Sequence, residues 1–187
     1  RAQGRPAVSV LIDAASRFLI QGITGNVGRF SARDMSAYGT RVVGGTASGR
    51  GAADVEGVTV FPSVKAACEA TQASASIAYV PASSAFDHVI EAFEAGIQLV
   101  IYPGDELPVQ DAIELRAAAK ANGATLIGPN TPGVISPGKA KAGSHASSCV
   151  RCQVSKVDAT KRPSDTKLTS ERVRRLSSPA TASSTRK

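Results

Sequence analysis

The sequence predicts an α/β domain with a mostly parallel sheet and helices on both faces, followed by a disordered basic tail. Short apolar runs typical of buried strands alternate with helical segments from Phe18 to Ile127. Glycine or proline residues stand at most of the junctions between these segments. The composition changes abruptly after Gly143, which indicates that the folded part ends there.

The first strand–helix unit contains a glycine-rich turn. The apolar run Phe18-Leu19-Ile20 precedes Gly22-Ile23-Thr24-Gly25-Asn26-Val27-Gly28, and a helix is predicted from about Gly28 to Tyr38. Glycines allow a tight turn, and the first N–H groups of the helix favour a phosphate or pyrophosphate. The G-x-x-G-x-x-G spacing differs from the G-x-G-x-x-G of many dinucleotide sites, so a purely structural turn is the alternative. This unit makes the predicted fold Rossmann-like.

The later segments continue the alternation. Strands are predicted over 41–45, 58–61, 75–80, 99–102 and 124–127, with helices over 63–70, 86–93 and 108–122. Ligands of parallel sheets lie beyond the carboxyl ends of the strands. The loops expected there are 22–28, 45–51, 81–84, 103–106 and 128–133.

The charge separates a neutral domain from a basic tail. The whole chain has a formal net charge of +7, and residues 144–187 hold ten basic and three acidic residues. The part up to Gly143 therefore has no excess charge, which argues against a nucleic-acid partner. Residues 144–187 contain no glycine, aromatic residue or isoleucine. We predict a domain over 8–143 and a low-complexity, disordered or foreign tail over 144–187.

The segment after the second predicted strand indicates the kind of nucleotide. NAD sites usually have an acid about 20 residues beyond the glycine turn, where this chain has Gly44-Gly45-Thr46. Arg50 follows between two glycines, and a guanidinium suits an additional phosphate. This pattern favours NADP or coenzyme A (CoA) as the ligand. The alternative is that Arg50 is only a solvated charge on a surface loop.

The chain from Val10 to Gly143 resembles the amino-terminal, CoA-binding half of succinyl-CoA synthetase (succinate–CoA ligase) α subunits. The matching pieces include Gln21-Gly22-Ile23-Thr24-Gly25, Ala37-Tyr38-Gly39-Thr40, Tyr79-Val80-Pro81 and the long run from Ile127-Gly128-Pro129-Asn130 to Gly138. The resemblance implies that CoA contacts fall on Thr24, Gly25, Asn26, Val27, Arg50, Pro103, Gly104 and Asp105.

The resemblance also implies an activity and partners. The complete enzyme would form acyl-CoA from a small carboxylic acid, CoA and a nucleoside triphosphate through a phosphohistidine, with a β subunit. A stand-alone CoA-binding regulatory module and an NADP-dependent reductase fragment are the alternatives. Pro103-Gly104-Asp105-Glu106 replaces a Thr-Glu-Gly type sequence, and Thr131 replaces a common cysteine. The acid, succinate, malate or another, therefore stays open.

No catalytic residue is predicted. The resemblance stops after Gly143, before the family's second domain and its phosphorylated histidine, so we expect this polypeptide alone to be inactive. His88 is expected to be an ordinary surface residue of a helix, and His145 lies in the tail. Cys149 and Cys152 have C-x-x-C spacing but too few companions for a metal site, so no metal is expected. We expect no membrane span and a cytoplasmic location, with the mitochondrial matrix as the alternative.

Overall fold

A six-stranded parallel sheet forms the centre of the protein. The computed structural model describes residues 11–47 and 54–143. The strands are β1 (Arg17–Gln21), β2 (Arg41–Thr46), β3 (Val60–Phe61), β4 (Ala75–Ala78), β5 (Leu99–Ile101) and β6 (Thr125–Ile127). Their spatial order is β3-β2-β1-β4-β5-β6, and every neighbouring pair is parallel. The order reverses between β1 and β4, which is where open α/β sheets bind ligands.

Four helices connect the strands. They are α1 (Asn26–Tyr38), α2 (Val64–Thr71), α3 (Ala82–Glu94) and α4 (Val109–Ala121). Ser63 caps the start of α2, since its hydroxyl accepts a hydrogen bond from the N–H of Ala66 at 3.1 Å. Gly39 ends α1 with φ 93°, a left-handed conformation that glycine adopts without strain.

Alternate side chains of the central strands enter two cores on opposite faces of the sheet. Phe18 and Ile20 pack with Met35 of α1, whereas Leu19 packs with residues of α2, α3 and α4 such as Val89. All five side chains are fully or almost fully buried. The near-continuous apolar strands follow from this, because helices cover a doubly wound sheet on both sides. The predicted fold class is confirmed.

A short antiparallel hairpin that the sequence analysis missed follows the sheet. It consists of β7 (Val134–Ser136) and β8 (Ala140–Ala142), paired from Val134 with Ala142 to Ser136 with Ala140. The hairpin packs on α1. Just after that helix, the Thr40 hydroxyl donates to the Lys141 carbonyl at 2.7 Å and accepts from the Lys141 N–H at 2.8 Å. Strands of three residues are too short to give a periodic signal.

The element bounds differ slightly from those expected. α1 begins at Asn26, two residues before the expected start, and β3 holds only the second half of the run 58–61. The domain boundary after Gly143 stays a prediction, because residues 144–187 lie outside the described part, as do Cys149, Cys152 and His145. Among the described residues, no helix is both long and apolar enough for a membrane span.

Candidate functional site

The glycine turn connects β1 directly to α1. Gly25 is the N-cap of α1, with φ −72° and ψ 159°, and no side chain caps the helix. The first turn of the helix also contains no acidic residue. Because the first N–H groups of a helix lack intrahelical acceptors, this end of α1 presents donors and a positive dipole end.

Two of the three glycines are required by close backbone packing. A Cβ on Gly22, which has φ 72°, would lie 2.3 Å from the carbonyl oxygen of Tyr79. A Cβ on Gly28 would lie 2.3 Å from the carbonyl oxygen of Gly22 and 2.8 Å from the Cα of Ile23. A Cβ on Gly25 would lie 3.4 Å from its nearest atom, which is an ordinary contact distance. Packing within the protein therefore does not require a glycine at this position.

A cavity of about 350 Å³ opens beside this turn, at the position where the strand order reverses. Its wall includes the turn itself, the end of β2, the segment after β4 and the starts of α2 and α3. The lining residues are Gly22, Thr24, Gly25, Thr46, Ala47, Pro62, Ser63, Val64, Tyr79, Val80, Pro81, Ser84, His88 and Glu91. The volume lies within the range of ligand cavities, and apolar walls with a few polar groups are typical of them.

The polar side chains on α3 are held in fixed positions. The Nδ1 of His88 lies 2.8 Å from the carbonyl oxygen of Ser84. The Oε1 of Glu91 accepts a hydrogen bond from the N–H of Val64 at 2.8 Å. Glu91 therefore caps the start of α2 from a neighbouring helix, which suits the positive end of that helix.

Tyr79 connects the cavity to α1. Its hydroxyl lies 2.8 Å from the hydroxyl of Ser31, which is buried. Burial raises the pKa of Tyr79 to about 12, against a smaller opposite effect of the Ser31 hydrogen bond. The phenol is thus a neutral hydrogen-bonding group at physiological pH, in a residue that lines the cavity.

A buried ion pair joins α1 to the hairpin. The ammonium group of Lys141, whose side chain is 1% exposed, pairs with the carboxylate of Asp34, which is 27% exposed. Since an unpaired buried ammonium is costly, this pair fixes the hairpin against the helix that begins at the glycine turn.

The match to known proteins identifies the domain. Residues 13–102 match the protein family described as the CoA binding domain. Residues 13–102 are therefore assigned as a CoA binding domain. The matched segment contains the whole glycine turn and every residue that lines the cavity.

Relatives extend the match beyond the domain. The chain is 43% identical over 136 residues to succinate–CoA ligase [ADP-forming] subunit alpha 1 of Archaeoglobus fulgidus, covering 73% of this chain and 47% of the relative. It is 44% identical over 140 residues to malate–CoA ligase subunit alpha of Methylorubrum extorquens, with the same coverage. The chain thus spans about half the length of these curated relatives.

Solved structures show the same fold. The ATP citrate lyase of Methanothrix soehngenii, in complex with citrate and coenzyme A, matches with a TM-score of 0.64 over 72% of this chain and 24% of that chain. Sequence identity is 18%, so this likeness shows the fold alone.

The seven predicted contact residues that the structure describes lie in different surroundings. Thr24 and Gly25 line the cavity, while Asn26 and Val27 form the exposed first turn of α1 and are not part of its wall. Arg50 lies outside the described residues, three positions after Ala47 at the cavity wall.

Pro103, Gly104 and Asp105 follow β5 and do not line the cavity. The carbonyl of Gly104 accepts a hydrogen bond from the N–H of Asn130 at 2.7 Å, which ties this loop to the loop after β6. Asp105 is exposed. The pKa of the Tyr102 hydroxyl is raised, mainly by burial and further by the Asp105 charge. Contacts of these three residues with CoA therefore stay predictions.

Six polar residues of the cavity wall were not predicted as site residues: Thr46, Ser63, Tyr79, Ser84, His88 and Glu91. His88 was expected to be a surface residue of a helix; it lies in α3, is half-buried and lines the cavity. A signal existed in the sequence, since residues 84, 88 and 91 follow the i, i+4, i+7 spacing of one helix face. That face begins in the first turn of α3, which follows the carboxyl end of β4.

Metal ligands are not grouped anywhere in residues 11–47 and 54–143. Within these ranges no set of three His, Cys, Asp or Glu side chains could hold a metal ion.

Proposed function

We propose that this domain is the CoA-binding part of an acid–CoA ligase α subunit. The observation that supports the proposal most directly is the uncapped start of α1 beside a cavity at the β1–β4 reversal. It occurs in a chain 43% identical to a succinate–CoA ligase α subunit over 136 residues.

The pyrophosphate of CoA would bind at the glycine turn. The N–H groups of Asn26 and Val27 belong to the first helical turn, and the absence of a Cβ on Gly25 allows a close approach of the phosphate oxygens. The hydroxyl of Thr24 stands beside them in the cavity wall. Arg50 would bind the 3′-phosphate through a bidentate contact.

The rest of the ligand would use the other walls. Val64, Val80, Pro62 and Pro81 present apolar surface to the cavity. Such surface suits the adenine ring or the pantetheine chain, and the Ser63 hydroxyl adds a polar contact. Pro103, Gly104 and Asp105 would contact CoA at the neighbouring strand end, since β5 lies directly beside β4 in the sheet.

The relatives support a proposal about partners and substrates. We infer that the domain works with a β subunit, which supplies nucleotide binding, and that the acid is succinate or malate, as in the named relatives. The reaction would take place in the cytoplasm or, alternatively, in the mitochondrial matrix. The domain would hold CoA in a fixed position for attack by its thiol, because positioning of a reactant lowers the barrier of the chemical step.

Calorimetry with four ligands tests this function. CoA should bind more tightly than dephospho-CoA, and both should bind more tightly than NAD. Loss of the contact between the 3′-phosphate and Arg50 should cost about 10-fold or more, since a hydrogen bond to a charged group contributes about 1.5–3 kcal/mol. An Arg50→Gln variant should bind the two CoA forms with equal affinity.

Two other results would contradict the proposal in different ways. Tighter binding of NADP than of CoA would favour the reductase alternative, since Arg50 suits a 2′-phosphate equally well. Equal affinity of the unmodified protein for CoA and dephospho-CoA would refute the role of Arg50.

A further inference from the structure

We propose that Arg29 is a further binding residue for CoA, whose guanidinium group contacts the pyrophosphate at the start of α1. The proposal deepens the proposed function and rests on it. Arg29 is outside the set of residues to which the family resemblance assigns CoA contacts.

The guanidinium group of Arg29 lies against the glycine turn. Its Nε donates a hydrogen bond to the carbonyl oxygen of Thr24 at 3.3 Å. The side chain reaches back to the turn because helical side chains point toward the N-terminus of their helix. Thr24 lines the cavity and is separated only by Gly25 from Asn26, the first residue of α1. The hydrogen bond therefore places a positive charge at the end of the helix where the pyrophosphate is proposed to bind.

Most donors of this group are available to a ligand. A guanidinium group has five N–H donors, and Arg29 uses one of them on Thr24. Within the part of the chain that the structure describes, its side chain makes no other hydrogen bond and no ion pair. Arg29 is exposed and is not one of the lining residues, so its terminal nitrogens would reach a phosphate from the open side of the cavity.

The next arginine of the same helix is in a different situation. Arg33 donates two hydrogen bonds to the Glu56 carboxylate, one from Nε at 2.7 Å and one from a terminal nitrogen at 2.9 Å. The pKa of Glu56 is lowered mainly by its hydrogen bond with Arg33, and the charge of Arg29 contributes least. Glu56 is thus committed to Arg33, which leaves Arg29 for a ligand.

The charge of the ligand fits such a cation. Both phosphates of the CoA pyrophosphate are negatively charged, whereas a helix N-terminus supplies about half a positive charge. The hydroxyl of Thr24 is neutral, and Arg50 is assigned to the 3′-phosphate. The first turn of α1 contains no acidic residue that would compete for Arg29. Arg29 therefore supplies a full positive charge that the other contacts proposed at this end do not carry.

Calorimetry on the full chain with dephospho-CoA tests the proposal. This ligand keeps the pyrophosphate and lacks the 3′-phosphate, so its binding does not depend on Arg50. At low salt Arg29→Gln should bind it about 5-fold or more weakly, because a charge-assisted hydrogen bond is lost at an exposed position. In about 1 M salt the difference should shrink to less than about 2-fold, since the Debye length is then about 3 Å.

A comparison with CoA separates the two arginines. Arg29→Gln should weaken CoA and dephospho-CoA by the same factor, so the preference for CoA stays. Arg50→Gln should abolish that preference and leave the affinity for dephospho-CoA unchanged.

Three controls make the result specific. Arg33→Gln removes a positive charge one turn further along α1, and it should change the affinity for dephospho-CoA by less than about 2-fold because that charge is already paired with Glu56. Arg29→Lys keeps the charge and should bind dephospho-CoA more tightly than Arg29→Gln. Urea unfolding of each variant checks that the fold is intact.

The outcomes separate the two proposals. If the unmodified protein binds dephospho-CoA and Arg29→Gln binds it equally well, the role of Arg29 is refuted and the proposed function stands. A loss of affinity in Arg29→Gln that is as large in high salt as in low salt, or as large in Arg29→Lys, would show that Arg29 only shapes the turn, which also refutes the role. If the unmodified protein binds neither CoA nor dephospho-CoA, both proposals are refuted.

Discussion

Replacing Gly25 with alanine should separate ligand binding from folding. Gly25 has φ −72° and ψ 159°, which alanine adopts without strain, and the new Cβ would meet its nearest atom at 3.4 Å. Alanine restricts the unfolded chain, which stabilises the fold by about 0.4–1 kcal/mol, but it is a poorer N-cap than glycine by a similar amount. The unfolding free energy should therefore change by less than about 1 kcal/mol.

The same methyl group should weaken CoA binding strongly. It would lie at the N-cap position of α1, next to the first-turn N–H groups that we propose bind the phosphate oxygens. A lost hydrogen bond to a charged group costs about 1.5–3 kcal/mol, which corresponds to roughly 10- to 100-fold in the dissociation constant. Calorimetry with CoA measures this loss, and urea unfolding measures stability.

Gly28→Ala is the matched comparison for Gly25→Ala. Its Cβ would lie 2.3 Å from the Gly22 carbonyl oxygen, and backbone atoms cannot move aside as a flexible side chain can. This variant should lose about 1–3 kcal/mol or more of stability. Two results would refute the assignment of separate roles to the two glycines. One is a Gly25→Ala variant that binds CoA as tightly as the wild type. The other is a Gly25→Ala variant that loses as much stability as Gly28→Ala.

Two further predictions concern the contacts that support α1. Asp34→Asn should lower the free energy of unfolding in urea more than Lys141→Met does. The first variant leaves a buried ammonium group unpaired, whereas the second leaves a carboxylate that is 27% exposed. Equal losses of stability in the two variants would contradict this reasoning. The stabilisation linked to Tyr79, whose pKa is raised from 10.0 to about 12, should be fully present below pH 10 and lost as the pH rises through 12. Tyr79→Phe should abolish that part of the pH dependence, and an ultraviolet titration should show one tyrosine that ionises near 12.

The glycine turn and the strand–helix alternation could be predicted because both are local signals. The apolar run at Phe18 and the cap at Ser63 determine their elements with little help from the rest of the chain. The hairpin could not be predicted in this way. It is stabilised by contacts far apart in sequence, such as those of Thr40 with Lys141, and its strands are too short for periodicity.

The cavity wall was only partly predictable for the same reason. Thr24 and Gly25 lie in a contiguous motif, so the sequence identifies them directly. His88 and Glu91 lie on a helix more than sixty positions later, and they reach the site only because β4 lies next to β1 in the sheet. Strand order depends on the packing of the whole sheet, which a single sequence does not specify locally.

The location of bound CoA decides whether the glycine turn is the binding site. Backbone amide resonances of an isotope-labelled sample, titrated with CoA, would show it. We expect the largest shifts at Thr24, Gly25, Asn26 and Val27 in the glycine turn, with further shifts at the start of α3. A second cavity at the opposite edge of the sheet is lined by residues that include Ser16, Ser74, Gln98 and Thr125. Shifts confined to that edge, with the glycine turn unchanged, would contradict the account.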